Sequence, residues 1–349
     1  MTQKRTLISV DAMGGDEGPA AVVEGCTLSA RINPEIAFVL HGDTAQLQPL
    51  VDKTPDLQGV CTVVHAPDVV SMDDKPSQVL RTGQNTSMWS AIDAVRSGDA
   101  AVAVSCGNTG ALMAMSMIRL RKLPGVNRPA IAVLYPSANP QGFNVMLDVG
   151  ADVRADADDL LRFALMGMSY ARNGLDLARP RVGLLNVGTE EHKGRSELKD
   201  AHDLIRNVES DADFEFVGFV EGGDISGSIA DVIVTDGFTG NVAIKTGEGT
   251  ASLVGDRLRE AFGHSPLSRF ASLLAYTSLQ RLKRRIDPRR VNGGVFLGLN
   301  GTVVKSHGSA DATGISAAIK LAAQLARNQF NDKLAARVAV SLPDREAEQ

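Results

Sequence analysis

The chain is poor in cysteine, in aromatic residues and in long apolar runs, and each shortage excludes a class of protein. Its 349 residues include three cysteines without CxxC spacing, which argues against a disulfide framework and a zinc site. No stretch is long and apolar enough for a signal peptide or a membrane span, so we expect a cytoplasmic protein. Only 4% of the residues are aromatic, which favours α/β layers over a β-sandwich.

An excess of basic charge is also absent. Lys and Arg number 36 against 41 Asp and Glu, so the net charge is −5 and no general basic field for nucleic acid is expected. The sequence contains no GxxxxGK[ST], no helix-opening GxGxxG, no GxSxG and no HExxH. These absences argue against ATP held by a P-loop, a bound dinucleotide, a serine hydrolase and a zinc protease.

What the sequence does contain is a repeated order of short apolar strand, small polar turn and helix. The clearest example is Val102–Ala114, where an apolar run passes through Ser105–Gly110 into a helical pattern. Strands separated by helices pair in parallel through right-handed crossovers. We therefore predict a three-layer α/β/α, Rossmann-like fold with a mostly parallel sheet. One catalytic domain is expected over residues 1–335, followed by a charged C-terminal tail at 336–349.

The polar turns are the candidate functional sites. Backbone N–H groups at the start of a helix lack partners and the helix dipole is positive there, so these turns attract anions. Because the carboxyl ends of parallel strands gather at one edge, we predict that the turns meet around one crevice. For any single turn, the alternative is an ordinary helix cap. The candidate substrate- or phosphate-binding residues are Asp11, Gly14, Gly15, Asp16, Gly107, Thr109, Gly110, Asp148, Asp236, Thr239, Asn241, Ser306 and Ser309.

Positive charges are few among these turns, and they are Lys193, Lys245 and Lys305. Lys305 and His307 lie two residues apart at a strand end, so their side chains point the same way if the strand persists. An ammonium and an imidazole near a helix N-terminus suit a phosphate or an oxyanion. The alternative is that His307 only caps the turn that follows it.

Two other chemistries stay open at this point. Cys106 is either a nucleophile or a small residue that fills a tight turn, and no histidine stands next to it in sequence. A set of acidic residues either holds a divalent metal or accepts hydrogen bonds from loop amides and substrate hydroxyls, and we favour the second interpretation. These residues are Asp11, Asp16, Asp148, Glu221 and Asp236.

A helical projection is predicted at Gly255–Arg290. It combines apolar side chains at helical spacing with a basic cluster, a combination typical of a helix on an anionic membrane surface. A dimer contact or ordinary packing is the alternative. The residues that we assign to the contact surface of the projection are Leu267, Phe270, Leu273, Leu274, Arg284 and Arg285.

Six segments, in order along roughly Leu7 to Asn328, closely resemble the bacterial acyl-ACP:phosphate acyltransferase family. They are ISVDAMGGDEGP (Ile8–Pro19), VSCGNTGALMA (Val104–Ala114), LDVGAD (Leu147–Asp152), VGLLNVGTEEHKG (Val182–Gly194), VTDGFTGNVAIK (Val234–Lys245) and GLNGTVVKSHGSAD (Gly298–Asp311).

The resemblance implies an enzyme that makes acyl phosphate from a long-chain acyl-acyl carrier protein and inorganic phosphate, the entry step to phosphatidic acid. It implies a fold related to phosphotransacetylases and to decarboxylating dehydrogenases such as isocitrate dehydrogenase. It also implies a homodimer, peripheral contact with the membrane, and delivery of the product to a membrane acyltransferase that uses acyl phosphate. Neither a cofactor nor a metal is expected.

In this reaction phosphate attacks a thioester carbonyl, and the site must hold the anion while one oxygen stays free. We expect Lys305, Lys193 and the amides of Gly107–Gly110 to orient phosphate. Asn108 or His307 would polarise the carbonyl or protonate the leaving thiolate. A thiolate leaves readily, so we expect direct transfer without an acyl-enzyme.

The chain departs from the family pattern at several positions near these loops, which bears on how carrier or phosphate is held. The departures are Gly83, Gln84, Cys106, Arg195, Gly223 and the pair Val295–Phe296. Three rival functions are a phosphotransacetylase that uses a short acyl-CoA, a dehydrogenase of the related fold, and a non-catalytic acyl-phosphate- or phospholipid-binding protein at the membrane.

Overall fold

The computed structural model describes residues 5–286 and 293–341, in which strands and helices alternate. The strands are β1 (Thr6–Asp11), β2 (Ile36–Gly42), β3 (Cys61–His65), β4 (Val102–Ser105), β5 (Ala130–Pro136), β6 (Phe143–Leu147), β7 (Arg181–Leu185), β8 (Glu215–Val220), β9 (Val232–Val234), β10 (Gly294–Leu297) and β11 (Thr302–Lys305). The α-helices are α1 (Gly18–Ile32), α2 (Thr44–Asp52), α3 (Pro76–Thr82), α4 (Ser87–Arg96), α5 (Thr109–Arg119), α6 (Ala157–Ser169), α7 (Ser196–Ala212), α8 (Gly237–Gly263), α9 (Pro266–Leu274), α10 (Tyr276–Ile286), α11 (Ala312–Arg327) and α12 (Phe330–Ser341).

These strands form one sheet in the order β3-β2-β1-β4-β11-β10-β5-β6-β9-β7-β8. Neighbouring strands are parallel except at three pairings, β11–β10, β10–β5 and β5–β6. Helices cover both faces of the sheet. The prediction of a mostly parallel, three-layer α/β/α fold is therefore confirmed.

The three antiparallel pairings reverse the direction of half the sheet. Because their number is odd, β6, β7, β8 and β9 run opposite to β1, β2, β3, β4 and β11. The prediction that all polar turns gather at one sheet edge is therefore wrong. The turns after β1, β4 and β11 lie at one end of the strands, which we call one edge of the sheet. The turns after β6, β7 and β9 lie at the opposite end of the strands, the other edge. The reversal depends on the four-residue strand β10, which the sequence analysis did not predict.

Alternation along the strands divides the core into two layers. Ile8 and Val10 of β1 face the layer of α1, α6 and α11, whereas Ala103 of β4 and Val303 of β11 face the layer of α4 and α5. Successive side chains of a strand point to opposite faces, so Ser9 and Asp11 share the α4 face. This parity decides which strand-end side chains meet in the candidate site.

The helical projection is present as the outer part of α8 together with α9 and α10. Helix α9 packs on α8 and α10 on α9, and the apolar side chains of α9 stay uncovered, with Leu267 77% exposed. The side chains of Arg284 and Arg285 lie outside the described residues. No described helix is both long and apolar enough to cross a membrane. Helix α12 continues through Ser341, past residue 335, where the sequence analysis began the tail.

Candidate active site

Three strand-end side chains form the floor of the site. Ser105 of β4 pairs in register with Asp11 of β1 on one side and with Lys305 of β11 on the other. All three therefore stand in one row on the α4 face of the sheet. Ser105 Oγ donates to Asp11 Oδ2 at 2.7 Å and accepts from the Gly107 N–H at 3.0 Å, so the hydroxyl fixes both the carboxylate and the turn after β4.

The floor carries two buried ionisable groups of opposite sign. Burial raises the pKa of Asp11, although hydrogen bonds from Ser105 and from backbone amides oppose that shift. Burial lowers the pKa of Lys305 to about 8, while the nearby Cys106 and Asp11 act in the other direction. Lys305 Nζ donates to the carbonyl oxygens of Cys106 and Ser306. The Lys305 ammonium is thus held within the turns, where an anion would meet a desolvated cation.

Glycines bring the turns after β1, β4 and β11 into backbone contact. The Asp16 N–H donates to the Gly308 carbonyl at 2.8 Å, joining the first turn to the third. A Cβ at Gly14 would lie 2.9 Å from the Gly107 nitrogen, and Gly15 has φ of +97° with Gly308 O 3.0 Å from its Cβ position. Only glycine tolerates this approach and this backbone region. The structure therefore brings together Asp11, Gly14–Asp16, Gly107 and Gly308.

His307 has a defined tautomer in this site. Its Nδ1 accepts from the Ser309 backbone N–H at 3.3 Å and lies 2.8 Å from Ser309 Oγ. Because a backbone N–H only donates, the neutral ring carries its proton on Nε2. Burial lowers the pKa of His307, and Lys245 lowers it further. His307 is therefore a neutral Nε2–H donor, suited to an oxyanion.

Helix α8 links the two edges of the sheet. It begins after β9, and near its start Asn241 Nδ2 donates to the Val149 carbonyl at 3.2 Å. One turn later, Lys245 acts electrostatically on both His307 and Lys305. Its Nζ is 2.8 Å from Glu248 Oε2. Lys245 is thus a second cation near the His307 turn. The sequence analysis named it as one of three lysines among the polar turns.

Asn108 is already engaged by the protein at both ends of its amide. Its Oδ1 accepts from the Ala111 N–H at 3.0 Å and caps α5, and its Nδ2 donates to the Met72 carbonyl at 2.8 Å. The bond to Ala111 is the helix cap that the sequence analysis gave as the alternative for each turn, whereas the bond to Met72 was not predicted. Thr109 begins α5 beside it, half-buried.

Cys106 is packed inside the turn after β4. It is buried, a hydrogen bond joins its thiol to the Ser306 side chain, and burial raises its pKa. A protonated, enclosed thiol is a poor nucleophile. Of the two interpretations of Cys106, the geometry favours the small residue in a tight turn.

The turns after β6 and β9 form a second cluster at the other edge. Asp148 Oδ2 accepts from the Asp152 N–H at 2.8 Å, and its Oδ1 accepts from Ile131 N–H at 2.9 Å. Asp236 caps α8 through the Thr239 N–H at 2.7 Å and forms an ion pair with Arg195. Both carboxylates are hydrogen-bonded to backbone amides, and Asp236 is also paired with arginine. They hold the loops, as the helix-cap alternative describes.

Lys193 also lies apart from Lys305. It follows β7, and its Nζ is 2.8 Å from Glu190 Oε1, which raises the pKa of this exposed lysine. The structure thus places Lys193 and Asp236 with the second cluster and Asn108 and His307 with the first. Within residues 5–286 and 293–341, no three His, Cys, Asp or Glu side chains converge as a metal site.

A cavity of about 730 Å³ lies between α4 and the open face of β2 and β3, and one of its lining residues, His41, pairs in register with Asp11. Its lining includes His41, Ser90 and Arg119. His41 Nδ1 is 2.7 Å from Ser90 Oγ and its Nε2 is 2.9 Å from Ser9 Oγ, so both ring nitrogens are engaged. The Lys305 row is the candidate active site, because the convergent charges and amides are there.

Sequence reasoning missed two parts of the site. Ser105 was visible only as one letter of a polar turn, and its role depends on register with Asp11 and Lys305. The segment Ala66–Lys75 was not identified as part of the site, and nothing local showed that it crosses it. Lys245 was noted as a charge, but its approach to His307 depends on the length of α8.

Comparison with known proteins agrees with the motifs. The family described as "Fatty acid synthesis protein" matches residues 6–333. The chain belongs to this family. A member from Roseobacter denitrificans, named phosphate acyltransferase, is 76% identical over 99% of this chain and 96% of its own. A second, from Ruegeria sp. (strain TM1040), bears the same name and is 72% identical over 96% of this chain and 90% of its own. The resemblance is confirmed, and this member of the family is an acyltransferase.

Solved structures of known proteins support the fold. A phosphotransacetylase from Streptococcus pyogenes superposes with a TM-score of 0.60 at 17% identity, covering 93% of this chain and 94% of its own. The EutD phosphotransacetylase from Staphylococcus aureus gives 0.58 at 14% identity, covering 93% and 95%. The phosphotransacetylase-like fold is thereby confirmed.

Proposed function

We propose that this chain transfers the acyl group of a long-chain acyl-acyl carrier protein to inorganic phosphate, giving acyl phosphate and the free carrier thiol. The observation that carries the proposal is the Lys305 ammonium, 9% exposed, beneath three glycine-rich turns at one sheet edge. The relatives named phosphate acyltransferase support phosphate as the acceptor.

In this proposal, Lys305 and the backbone amides at the start of α5 bind phosphate. A buried ammonium attracts phosphate more strongly than an exposed one, because little water screens it. At neutral pH a lysine with a pKa of about 8 keeps most of its charge. The amide donors at the α5 N-terminus add to that attraction and leave one phosphate oxygen free to attack.

The carbonyl of the donor is the second reacting group. A phosphate oxygen bonds to the carbonyl carbon, the oxygen of the carbonyl becomes an oxyanion, and the C–S bond then breaks as the electron pair leaves on sulfur. His307 offers its Nε2–H to that oxyanion, since its Nδ1 is occupied by Ser309. The leaving thiolate is stable enough to depart without a strong acid.

The acyl donor distinguishes this proposal from its nearest rival, a short acyl-CoA phosphotransacetylase. The fold is common to both, so it does not discriminate. The α8–α10 projection favours the long-chain reaction, because four of its apolar side chains, at Leu267, Phe270, Leu273 and Leu274, are 58–77% exposed. A surface of this kind suits an enzyme whose product is destined for a membrane.

The same surface supports our proposals of peripheral membrane contact, of a homodimer, and of product delivery to a membrane acyltransferase. Exposed apolar side chains on α8, including Leu253 and Leu258, continue the α9 surface along the helix. One part of this strip suits a second copy and the tip suits an anionic bilayer. Cytoplasmic localisation at the membrane surface follows from that arrangement.

Mixing the pure protein with palmitoyl-carrier protein and phosphate, then trapping acyl phosphate with hydroxylamine, tests the proposal. We expect hydroxamate that depends on both substrates, with palmitoyl-carrier protein at least tenfold better than acetyl-CoA in kcat/KM. Preference for acetyl-CoA would establish the phosphotransacetylase rival. Absence of hydroxamate with either donor would leave the non-catalytic alternative.

A further inference from the structure

The segment Ala66–Lys75, which we call the strap, crosses the edge of the sheet beside the Lys305 row. The Asp68 carbonyl accepts from the Ser87 N–H at 3.0 Å, which ties one part of the strap to the start of α4. At the other part, Asn108 Nδ2 lies 2.8 Å from the Met72 carbonyl and 3.1 Å from that of Asp74. Asn108 thus holds the strap to the turn after β4.

Two glycines of the active-site turns accept side chains of the strap region. A Cβ at Gly308 would lie 2.8 Å from Met72 Cε, and one at Gly110 would lie 2.9 Å from Pro76 Cγ. Neither glycine has a positive φ, so close approach is the reason for glycine here. The sequence analysis assigned Gly110 to phosphate binding, but its neighbour in the structure is Pro76.

Met72 consequently lies beside the turn that carries His307. Its Cε reaches Gly308, the residue after His307, and consecutive Cα atoms are about 3.8 Å apart. The thioester carbonyl has to lie within hydrogen-bond distance of His307 for the proposed reaction. An acyl chain that extends from this carbonyl toward the strap meets Met72, whose side chain is 43% exposed.

We propose that Met72, held in place by Asn108, is the apolar wall against which the acyl chain of the donor packs, and that it sets the preference for long chains. Methionine suits this task because its unbranched thioether adapts to chains in several conformations. Asn108 is a positioning residue in this assignment. The inference rests on the proposed function, because it takes the acyl donor from there.

Substitutions at Met72 test the wall directly. Met72→Ala is expected to raise KM for palmitoyl-carrier protein about tenfold, or 1.4 kcal/mol by the usual conversion. The KM for phosphate should stay within twofold. Acetyl-carrier protein, whose acyl group ends one carbon beyond the carbonyl, should change less than twofold in turnover or in its inhibition constant. Met72→Leu, which keeps the volume, should restore most of the palmitoyl affinity.

Asn108→Asp tests the hold on the strap. A carboxylate retains the acceptor that caps α5 but replaces the amide donors that face the strap carbonyls. Amide hydrogen exchange at residues 68–75 should accelerate at least tenfold, and the palmitoyl KM should rise as in Met72→Ala. Met117→Ala is the matched control for Met72→Ala. Met117 lies on α5, and its exposed fraction of 37% is similar to the 43% of Met72.

The outcomes separate the inference from the function beneath it. If wild type makes acyl phosphate and Met72→Ala leaves the palmitoyl KM unchanged, or changes palmitoyl and acetyl donors equally, the wall assignment is overturned and the function stands. If wild type makes no acyl phosphate, the proposed function fails and the inference fails with it. Unchanged exchange in Asn108→Asp would remove Asn108 from its positioning role.

Discussion

Lys305 and Asp11 end two parallel strands of the same sheet, and the only strand between them contributes Ser105. Their Cα atoms therefore stand two strand spacings apart, roughly 10 Å, and the Ser105 hydroxyl between them bonds to the carboxylate. Asp11 is thus anchored by Ser105 and by backbone amides, and it leaves Lys305 to act on an incoming anion.

Removing the Lys305 ammonium should abolish most of the activity while the fold survives. We expect Lys305→Ala to lower acyl-phosphate formation by about 10²–10³-fold, because removing one preorganised electrostatic group at a reacting centre costs that much. Hydroxylamine trapping measures the rate, and circular dichroism checks the fold. Lys320→Ala, on the exposed side of α11, is the control for loss of a lysine. Near-normal turnover in Lys305→Ala would remove the assignment.

The alkaline limb of the pH profile should report the same lysine. Burial lowers its pKa to about 8 from the ordinary 10.5, so kcat/KM should fall as pH rises through about 8. The neighbouring Cys106 does not account for that limb, because its pKa is raised. Lys305→Arg should move the limb to higher pH, since arginine keeps its charge there. A limb that stays near 8 in this variant would assign it to another group.

The stability of the protein should show the opposite slope in that range. Since the folded pKa of Lys305 lies below the unfolded value, the unfolded chain binds more protons between about pH 8 and 10.5. The free energy of unfolding should therefore gain from this residue as pH rises across the window. Urea denaturation at pH 8 and pH 10 measures the gain. Lys305→Met should lose it, and an equal gain in both proteins would contradict the burial argument.

The sequence predicted the layers of this fold better than the directions of its strands. Alternating apolar runs and helix-opening turns are local, and the pattern at Val102–Ala114 located strand β4 and the start of helix α5. The direction of the second half depends on pairings around Gly294–Leu297, a run too short to identify alone. One unpredicted strand was enough to separate Lys193 from Lys305.

The same limit applied inside the candidate site. Lys305 and His307 were identifiable because a cation and an imidazole at a strand end point to anion chemistry. Asn108 was singled out as a candidate to polarise the carbonyl, but its Nδ2 partner Met72 lies 36 residues away in sequence. Asp148 and Asp236 looked like ligand contacts for a related reason, because a cap and a ligand site use the same residue types.

His307 should act through Nε2 with little effect on phosphate binding. We expect His307→Ala to lower kcat by 10²–10³-fold and to change the phosphate KM less than threefold, because the hydrogen bond forms only to the oxyanion. His307→Gln retains an N–H donor and should recover part of the loss. Steady-state kinetics with palmitoyl-carrier protein decide this. A large rise in phosphate KM without loss of kcat would make His307 a binding residue instead.

Asp236 should matter to stability more than to catalysis. Asp236→Ala removes the α8 cap and the partner of Arg195, and we expect a loss of about 1–2 kcal/mol in the free energy of unfolding. The kcat/KM per folded molecule should stay within threefold. Asp156→Ala, which removes the cap of α6 through the Asp159 N–H, is the matched control. A hundredfold loss of activity confined to Asp236→Ala would restore it as a substrate contact.

The exposed surface of α9 should decide whether the protein meets a bilayer. Leu267, Phe270 and Leu274 follow helical spacing of three and four residues, so their side chains occupy one face. Replacing all three with serine removes apolar surface that would otherwise be buried in the membrane interface. Burial of apolar surface contributes about 25 cal/mol of binding free energy per Å². We expect flotation with vesicles of anionic phospholipid to fall at least tenfold, while turnover of palmitoyl-carrier protein in solution persists. Ile32→Ser is the control, because Ile32 on α1 is 71% exposed but lies on the main body of the fold. Undiminished flotation of the triple variant, or an equal loss in Ile32→Ser, would indicate that this surface binds a partner chain instead of a bilayer. A change in dimer mass by light scattering would then identify that partner as a second copy.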